Sequence, residues 1–89
     1  MKRVRFRIEA PTAKNVMLAA DFTDWQARAK AMRKEKAGGR TFAATVNLPP
    51  GTYQYKFIVD GEWVEDPKAA DHVINPFGSR NSLLTISDG

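Results

Sequence analysis

The chain of 89 residues has no cysteine and one histidine, His72. Without cysteine no disulfide can support the fold, so the core alone must hold it. The same lack fits a reducing compartment, and a cytoplasmic location is the expectation. One histidine and no thiol leave no metal-ligand cluster of His and Cys, and no metal or other cofactor is expected. No stretch is long and apolar enough to cross a bilayer, and no membrane association is expected. The start, Met1-Lys2-Arg3-Val4-Arg5-Phe6-Arg7, is basic but has no apolar run behind it, so it is not a secretory signal. There is no glycine-rich phosphate loop, no fixed-period repeat and no low-complexity tract. Carboxylates are poorly placed for hydrolysis, which needs two of them flanking a bond in a cleft. Glu62, Glu65 and Asp66 are close in sequence, but Glu62 and Glu65 point to opposite faces of one strand. No nucleophile–base set is visible, and the chain reads as a non-enzyme.

What is present is ordinary for a globular protein: 43% hydrophobic and 27% charged residues. The length suits one domain with one core, over residues 1–89. Net charge is +4, from 14 Lys and Arg against 10 Asp and Glu. The basic excess sits early, in Lys2, Arg3, Arg5 and Arg7 and again in Lys30, Arg33, Lys34 and Lys36. Arg3, Arg5 and Arg7 would share one strand face. They could meet the phosphates of a nucleic acid or a phosphorylated partner. A solubilising edge strand is the preferred reading, because no aromatic residue interleaves with them, and no nucleic acid is expected.

Alternation fixes most elements. Val4, Phe6 and Ile8 mark a half-buried strand over 3–9, ended by Pro11. Val16, Leu18 and Ala20 mark a second over 15–20. Residues 21–30 read as an irregular connection, and helix propensity over 27–36 competes with a strand near 31–33, which is preferred. Phe42, Ala44, Val46 and Leu48 form the next strand, and Pro49-Pro50-Gly51 turns the chain. Asp66-Pro67 opens a long loop reaching Arg80, and Ser82–Ser87 is the last strand. The expectation is an all-β sandwich of about six or seven antiparallel strands.

Between the proline turn and Asp66 lies a hairpin whose turn is written in the sequence. Asp60-Gly61 separates two alternating runs. A two-residue turn there pairs Val59 with Glu62, Ile58 with Trp63, Phe57 with Val64 and Lys56 with Glu65. Tyr53, Tyr55, Phe57, Val59 and Val64 then share a core face, while Gln54, Lys56, Ile58, Trp63 and Glu65 share the other. Trp63 is thereby a tryptophan the core does not need, with Lys56 as its diagonal neighbour.

Read in order, Val16 through Trp25, Leu48-Pro49-Pro50-Gly51 through Phe57, Asp60-Gly61-Glu62-Trp63, Asp66-Pro67 and Asn75-Pro76-Phe77-Gly78-Ser79-Arg80-Asn81 resemble the family 48 carbohydrate-binding modules. That group includes the glycogen-binding domain of the AMP-activated protein kinase β subunit and the early-set domains of isoamylases and branching enzymes. The resemblance runs from about Val4 to Ile86. It implies an immunoglobulin-like early-set sandwich that binds α-1,4-glucans, with Trp25, Lys56, Trp63, Phe77, Ser79 and Asn81 at the binding positions. Two departures stand out: Ala20-Asp21-Phe22-Thr23 replaces the usual Gly-x-Phe-Asn, and Phe77 stands where kinase-type modules often have leucine.

The chemistry suits those positions. An indole covers the apolar face of a glucose ring with little rotamer entropy to lose. Lys56 can donate charge-assisted hydrogen bonds, and Asn81 can both donate and accept. Each residue also has a plain structural role open to it: Trp25 capping the core, Lys56 pairing with Glu65, Asn81 ordering its loop, Phe77 plugging the core. Two functions follow. One is a non-catalytic α-glucan-binding module. The other is a protein-interaction or regulatory early-set module acting in trans on a glucan-metabolising or kinase-type partner, with the sugar site weak or lost; it is expected because Met1 begins the domain and Gly89 nearly ends it, with no enzyme attached.

Overall fold

The structure, a computed structural model, describes residues 1–87; Asp88 and Gly89, the end of the expected domain span, lie outside the described residues. The strands are β1 (Lys2–Glu9), β2 (Val16–Ala20), β3 (Lys30–Ala31), β4 (Arg33–Lys34), β5 (Thr41–Leu48), β6 (Gly51–Val59), β7 (Glu62–Val64), β8 (Asp71–Ile74) and β9 (Arg80–Ile86). One antiparallel sheet has the order β1-β5-β4. The other has the order β3-β2-β6-β9-β8, with β7 also paired to β6. The result is the all-β sandwich that the alternation calls for.

The inward faces come from the expected residues. Phe6 and Ile8 on β1, Phe42, Ala44 and Leu48 on β5, Val16, Leu18 and Ala20 on β2, and Tyr55 and Phe57 on β6 are buried together. Leu18 and Phe57 are register partners at the centre and fully enclosed. Phe6 and Tyr55 meet edge to face at 5.0 Å, and Phe22 meets Tyr53 edge to face at 5.7 Å. Each such pair adds about 0.5–1.5 kcal/mol beyond its area. The Phe22 contact also anchors the segment after β2 to the core.

The hairpin register is as expected at Val59–Glu62, Ile58–Trp63 and Phe57–Val64. Asp60 (φ 48°) and Gly61 (φ 87°) both take the left-handed backbone that this turn requires. The Asp60 carboxylate also accepts the backbone N–H groups of Lys14 and Asn15 at 2.9 and 2.8 Å, which fixes the turn before β2.

Three segments differ from the sequence reading. The connection over 21–30 is ordered into two short 3-10 turns, Asp21–Thr23 and Trp25–Arg28. The strand expected near 31–33 is two strands in different sheets, β3 on β2 and β4 on β5. Met32, buried between them, donates its N–H to the Val16 carbonyl at 2.9 Å while the chain crosses the edge of the sandwich. The long loop over 66–80 contains β8, paired with β9. Asp71-His72-Val73-Ile74 mixes polar and apolar residues on both faces, so it carries no period of two. It is a strand because β9 offers it an edge.

The Glu65 pairing also changes. β7 ends at Val64 because the next turn is pulled toward β9. Asp66 donates its N–H to buried Ser82 Oγ at 2.9 Å, and its carboxylate accepts the Tyr55 hydroxyl at 2.7 Å. Glu65 pairs with Arg80 instead of Lys56.

Burial, then the Asp66 carboxylate, pushes the Tyr55 hydroxyl well above its ordinary value of 10.0. A folded-state value above the unfolded one gives stability that is full below about pH 10 and falls as the unfolded phenol ionises. Urea unfolding between about pH 8 and pH 11 should lose up to about 1.4 kcal/mol per pH unit from this group. Tyr55→Phe should be less stable at neutral pH and lack that part of the alkaline slope; an identical slope in both proteins would refute the assignment.

Candidate functional site

The strand β6 determines where a groove can form. β2 and β9 both pair with Tyr55, so they lie on opposite edges of β6. β9 follows one edge over Gly51–Tyr55 and β7 follows the same edge over Phe57–Val59. Lys56 sits where one partner has ended and the other has not begun. Above this gap, on the outer face of the larger sheet, lies a groove of about 750 Å³.

Its floor is a chain of polar side chains. Lys56, only 7% exposed, donates to Ser79 Oγ at 3.0 Å. Asn75 Nδ2 donates to Ser79 Oγ at 2.7 Å and to Asn81 Oδ1 at 3.0 Å. Asn81, also buried, donates through Nδ2 to Gln54 Oε1 at 3.1 Å. Five residues from β6, β9 and the β8–β9 turn thus orient one another, and no buried polar side-chain atom among the described residues lacks a partner. Lys56 has three donors and spends one on Ser79, so it can still bind a hydroxyl in the groove.

Asn75 also builds the turn above that floor. Its Oδ1 accepts the N–H groups of Phe77 and Ser79 at 3.0 and 3.2 Å, and its own N–H donates to the Ser79 carbonyl at 2.8 Å. Gly78 supplies the positive φ (84°) that closes the loop. The consequence is Phe77 held out at the tip, 92% exposed.

The walls are aromatic. Trp63 is 43% exposed and covers buried Ile58, its register partner. Trp25, half-buried, starts the second 3-10 turn. Asp24 and Trp25 both have φ of 53°, a left-handed backbone that costs of order 1–3 kcal/mol at a bulky residue. Two anchors offset it. Phe22 is packed on Tyr53, and buried Thr23 takes the place of the usual asparagine. Its hydroxyl accepts the Ala20 N–H at 2.9 Å and lies 3.0 and 2.9 Å from the Ala20 and Trp25 carbonyl oxygens, to one of which its proton goes. The departures at Ala20–Thr23 therefore leave an ordered loop. Asp21, in the same loop, accepts the Gln54 N–H at 3.0 Å and ties it to β6.

All six positions named from the sequence, Trp25, Lys56, Trp63, Phe77, Ser79 and Asn81, line this one groove. Gln26, Gln54, Asn75 and Pro76 line it as well and were missed. Gln54 had a signal, sharing the Lys56 face by alternation; Asn75-Pro76 had one only as a turn dipeptide. Among the described residues, Lys56 is the single charged one lining the groove, and no carboxylate faces the space. Glu65 lies outside, where the Arg80 guanidinium holds its carboxyl below the usual range. Among the described residues no group of His, Asp and Glu could hold a metal ion.

A family model described as the glycogen recognition site of AMP-activated protein kinase matches residues 3–89. The chain is 38% identical over 76 residues to Protein PTST homolog 2, chloroplastic, of Arabidopsis thaliana, covering 85% of the chain and 13% of that protein. It is 36% identical over 75 residues to Protein FLOURY ENDOSPERM 6, chloroplastic, of Oryza sativa subsp. japonica, covering 84% and 13%. With the human 5'-AMP-activated protein kinase subunit beta-2 it shares 33% over 73 residues, covering 82% and 25%. The chain thus spans a quarter or less of the length of these relatives. Among solved structures, a maltogenic amylase from S. marinus superposes with a TM-score of 0.74 at 28% identity, over 98% of this chain and 14% of that one.

The turn geometry makes a prediction of its own. Asn75→Ala removes the acceptor of two loop amides, and exchange of the Phe77 and Ser79 N–H groups should quicken about fivefold to thirtyfold for a loss of about 1–2 kcal/mol. Asn75→Asp keeps that acceptor and should keep their protection. Equal exchange in wild type and Asn75→Ala would contradict the role given to Asn75.

Proposed function

Because the chain belongs to the family of AMP-activated protein kinase glycogen recognition sites, the carbohydrate-binding modules of family 48, we propose that the groove above Lys56 binds α-1,4-glucan chains such as those of glycogen and starch, without acting on them. The observation that carries this reading is the joint placement of Trp25, Trp63 and Lys56 around one groove with a hydrogen-bonded polar floor. Trp25 and Trp63 are the stacking platforms. Lys56 and Asn81 meet the hydroxyl edge, Ser79 orients Lys56, and Phe77 packs over the edge of a curved glucan. Gln54 joins this set through its amide.

The reading is non-catalytic because, among the described residues, no carboxylate pair faces the groove, as glycoside hydrolysis requires. It takes residues 1–89 as one module and keeps the cytoplasmic location suggested by the lack of cysteine. Two relatives are chloroplastic by name, and no helix among the described residues is long and apolar enough to cross a membrane. A glucan-metabolising enzyme acting in trans is part of the proposal, suggested by the superposition of this chain on part of a maltogenic amylase.

Each sugar hydrogen bond replaces one to water and nets about 0.5–1.5 kcal/mol. Binding of a single maltoheptaose should therefore be weak, with Kd about micromolar to millimolar. Sedimentation with glycogen should look tighter through multivalency. Trp63→Ala should weaken calorimetric maltoheptaose binding about tenfold or more, for a loss of at least about 1.4 kcal/mol. Binding unchanged by Trp63→Ala, or none at millimolar sugar, would overturn the reading.

A further inference from the structure

A glucan is neutral, and most of the basic residues of this protein lie away from the groove. Strands β1, β4 and β5 and the turn over 35–40 hold eight of the 14 Lys and Arg residues and two of the 10 acids. These strands form the smaller sheet, whose inner face is in the core and whose outer face is turned away from the groove. Register orders that outer face. Arg7, Ala43 and Arg33 stand in one row across the three strands, and Arg5 faces Thr45 in the next. Ala43 and Thr45 are small, so the arginines stand over a low shelf.

The arginines are also held in position. Arg5 and Arg7 both reach across β5 to Glu35, with N···O distances of 2.8 and 2.9 Å. The two arginine side chains remain more than half exposed, against 21% for that of Glu35. The Arg7 and then the Arg5 hydrogen bonds hold the Glu35 carboxyl below its usual range. One acid thus fixes two guanidiniums side by side without neutralising them both. Arg3 and Arg33 flank the pair with no ion-pair partner among the described residues. Clustered like charge costs stability through self-repulsion, which a complementary ligand would relieve.

We propose that this outer face of β1-β5-β4 is a docking surface for an acidic polypeptide segment of a partner protein, usable while the groove on the opposite face holds glucan. Charge complementarity selects the partner's sign. The shape and composition of the face select its class. Among the described residues no aromatic side chain is available on it for stacking bases, and Glu35 and Glu9 interrupt the track of phosphate-seeking cations. A segment with spaced Asp and Glu side chains can straddle those two acids, whereas a continuous phosphate backbone cannot.

The test is fluorescence anisotropy of the whole chain with a labelled twelve-residue peptide of alternating Glu and Ser, in about 150 mM salt, where the Debye length is about 8 Å. A single-stranded and a duplex oligonucleotide serve as comparators. The peptide should bind, and Arg3→Gln with Arg33→Gln should weaken it about tenfold by removing two charge contacts. Lys14→Gln with Lys68→Gln, which lowers net charge equally elsewhere, should leave peptide binding within about twofold, and maltoheptaose binding should be unchanged in both double variants. Arg5, Arg7 and Glu35 stay in place, so the sheet should remain folded, which circular dichroism checks. No peptide binding at this salt, equal loss in the two double variants, or an oligonucleotide bound more tightly than the peptide would each overturn the proposal.

Discussion

Lys56 occupies the one point on β6 where the neighbouring edge changes hands, and the groove depends on that gap. Toward the start of the strand the edge belongs to β9; toward its end it belongs to β7. Were the ladder continuous, Glu65 would lie opposite Lys56 and the two would neutralise each other. Asp66 prevents this. Tyr55 and Ser82 hold its carboxylate and its N–H, the chain leaves β6 after Val64, and Glu65 is handed to Arg80. The ammonium is then free to take Ser79 as its partner and to line a groove with no other charged residue among those described.

The polar floor extends this constraint outward. A buried amine or amide without a partner costs about 1–3 kcal/mol, so Lys56, Asn81 and Gln54 must be satisfied among themselves or through the turn. Asn75 does this with one side chain, bonding two amides of its turn and two side chains of the floor. Shape and chemistry are therefore coupled. The bonds that present Phe77 at the tip also fix the donors and acceptors beneath it. Trp25 is held in a similar way on the other side, with Thr23 and Phe22 supporting an unfavourable backbone.

Much of this was legible in the sequence, for physical reasons. The core and the hairpin could be read because alternation and an Asp-Gly turn specify faces and register together: Phe57 and Trp63 could not share a side. Register put Trp63 and Lys56 together on the outer face; the other four site positions came from resemblance, and local chemistry alone would have left Trp25 and Asn81 undecided. What could not be read depends on distant partners. β8 is a strand only because β9 lies beside it. The passage of the chain from one sheet to the other at Met32 leaves no periodic trace in a stretch so short. The Lys56–Glu65 pair was the natural expectation for a hairpin, and a tyrosine and a serine from other parts of the sheet displaced it. Asn75 looked like turn punctuation; its second role needs Ser79 and Asn81 in three dimensions.

The sandwich separates two kinds of surface. One outer face carries an aromatic, hydrogen-bonded groove with Lys56 as its one charged residue among those described, suited to a neutral polymer of hydroxyls. The other is an arginine-studded shelf. The most direct test of this account is a two-dimensional amide and indole NMR titration of the whole chain with maltoheptaose. Shifts should concentrate on the indole N–H groups of Trp25 and Trp63, the side-chain amides of Gln54 and Asn81, and the Phe77–Ser79 backbone, with the β1 and β4 amides unmoved. Saturable shifts centred on β1 and β4, or unmoved tryptophan indoles at saturating sugar, would contradict it.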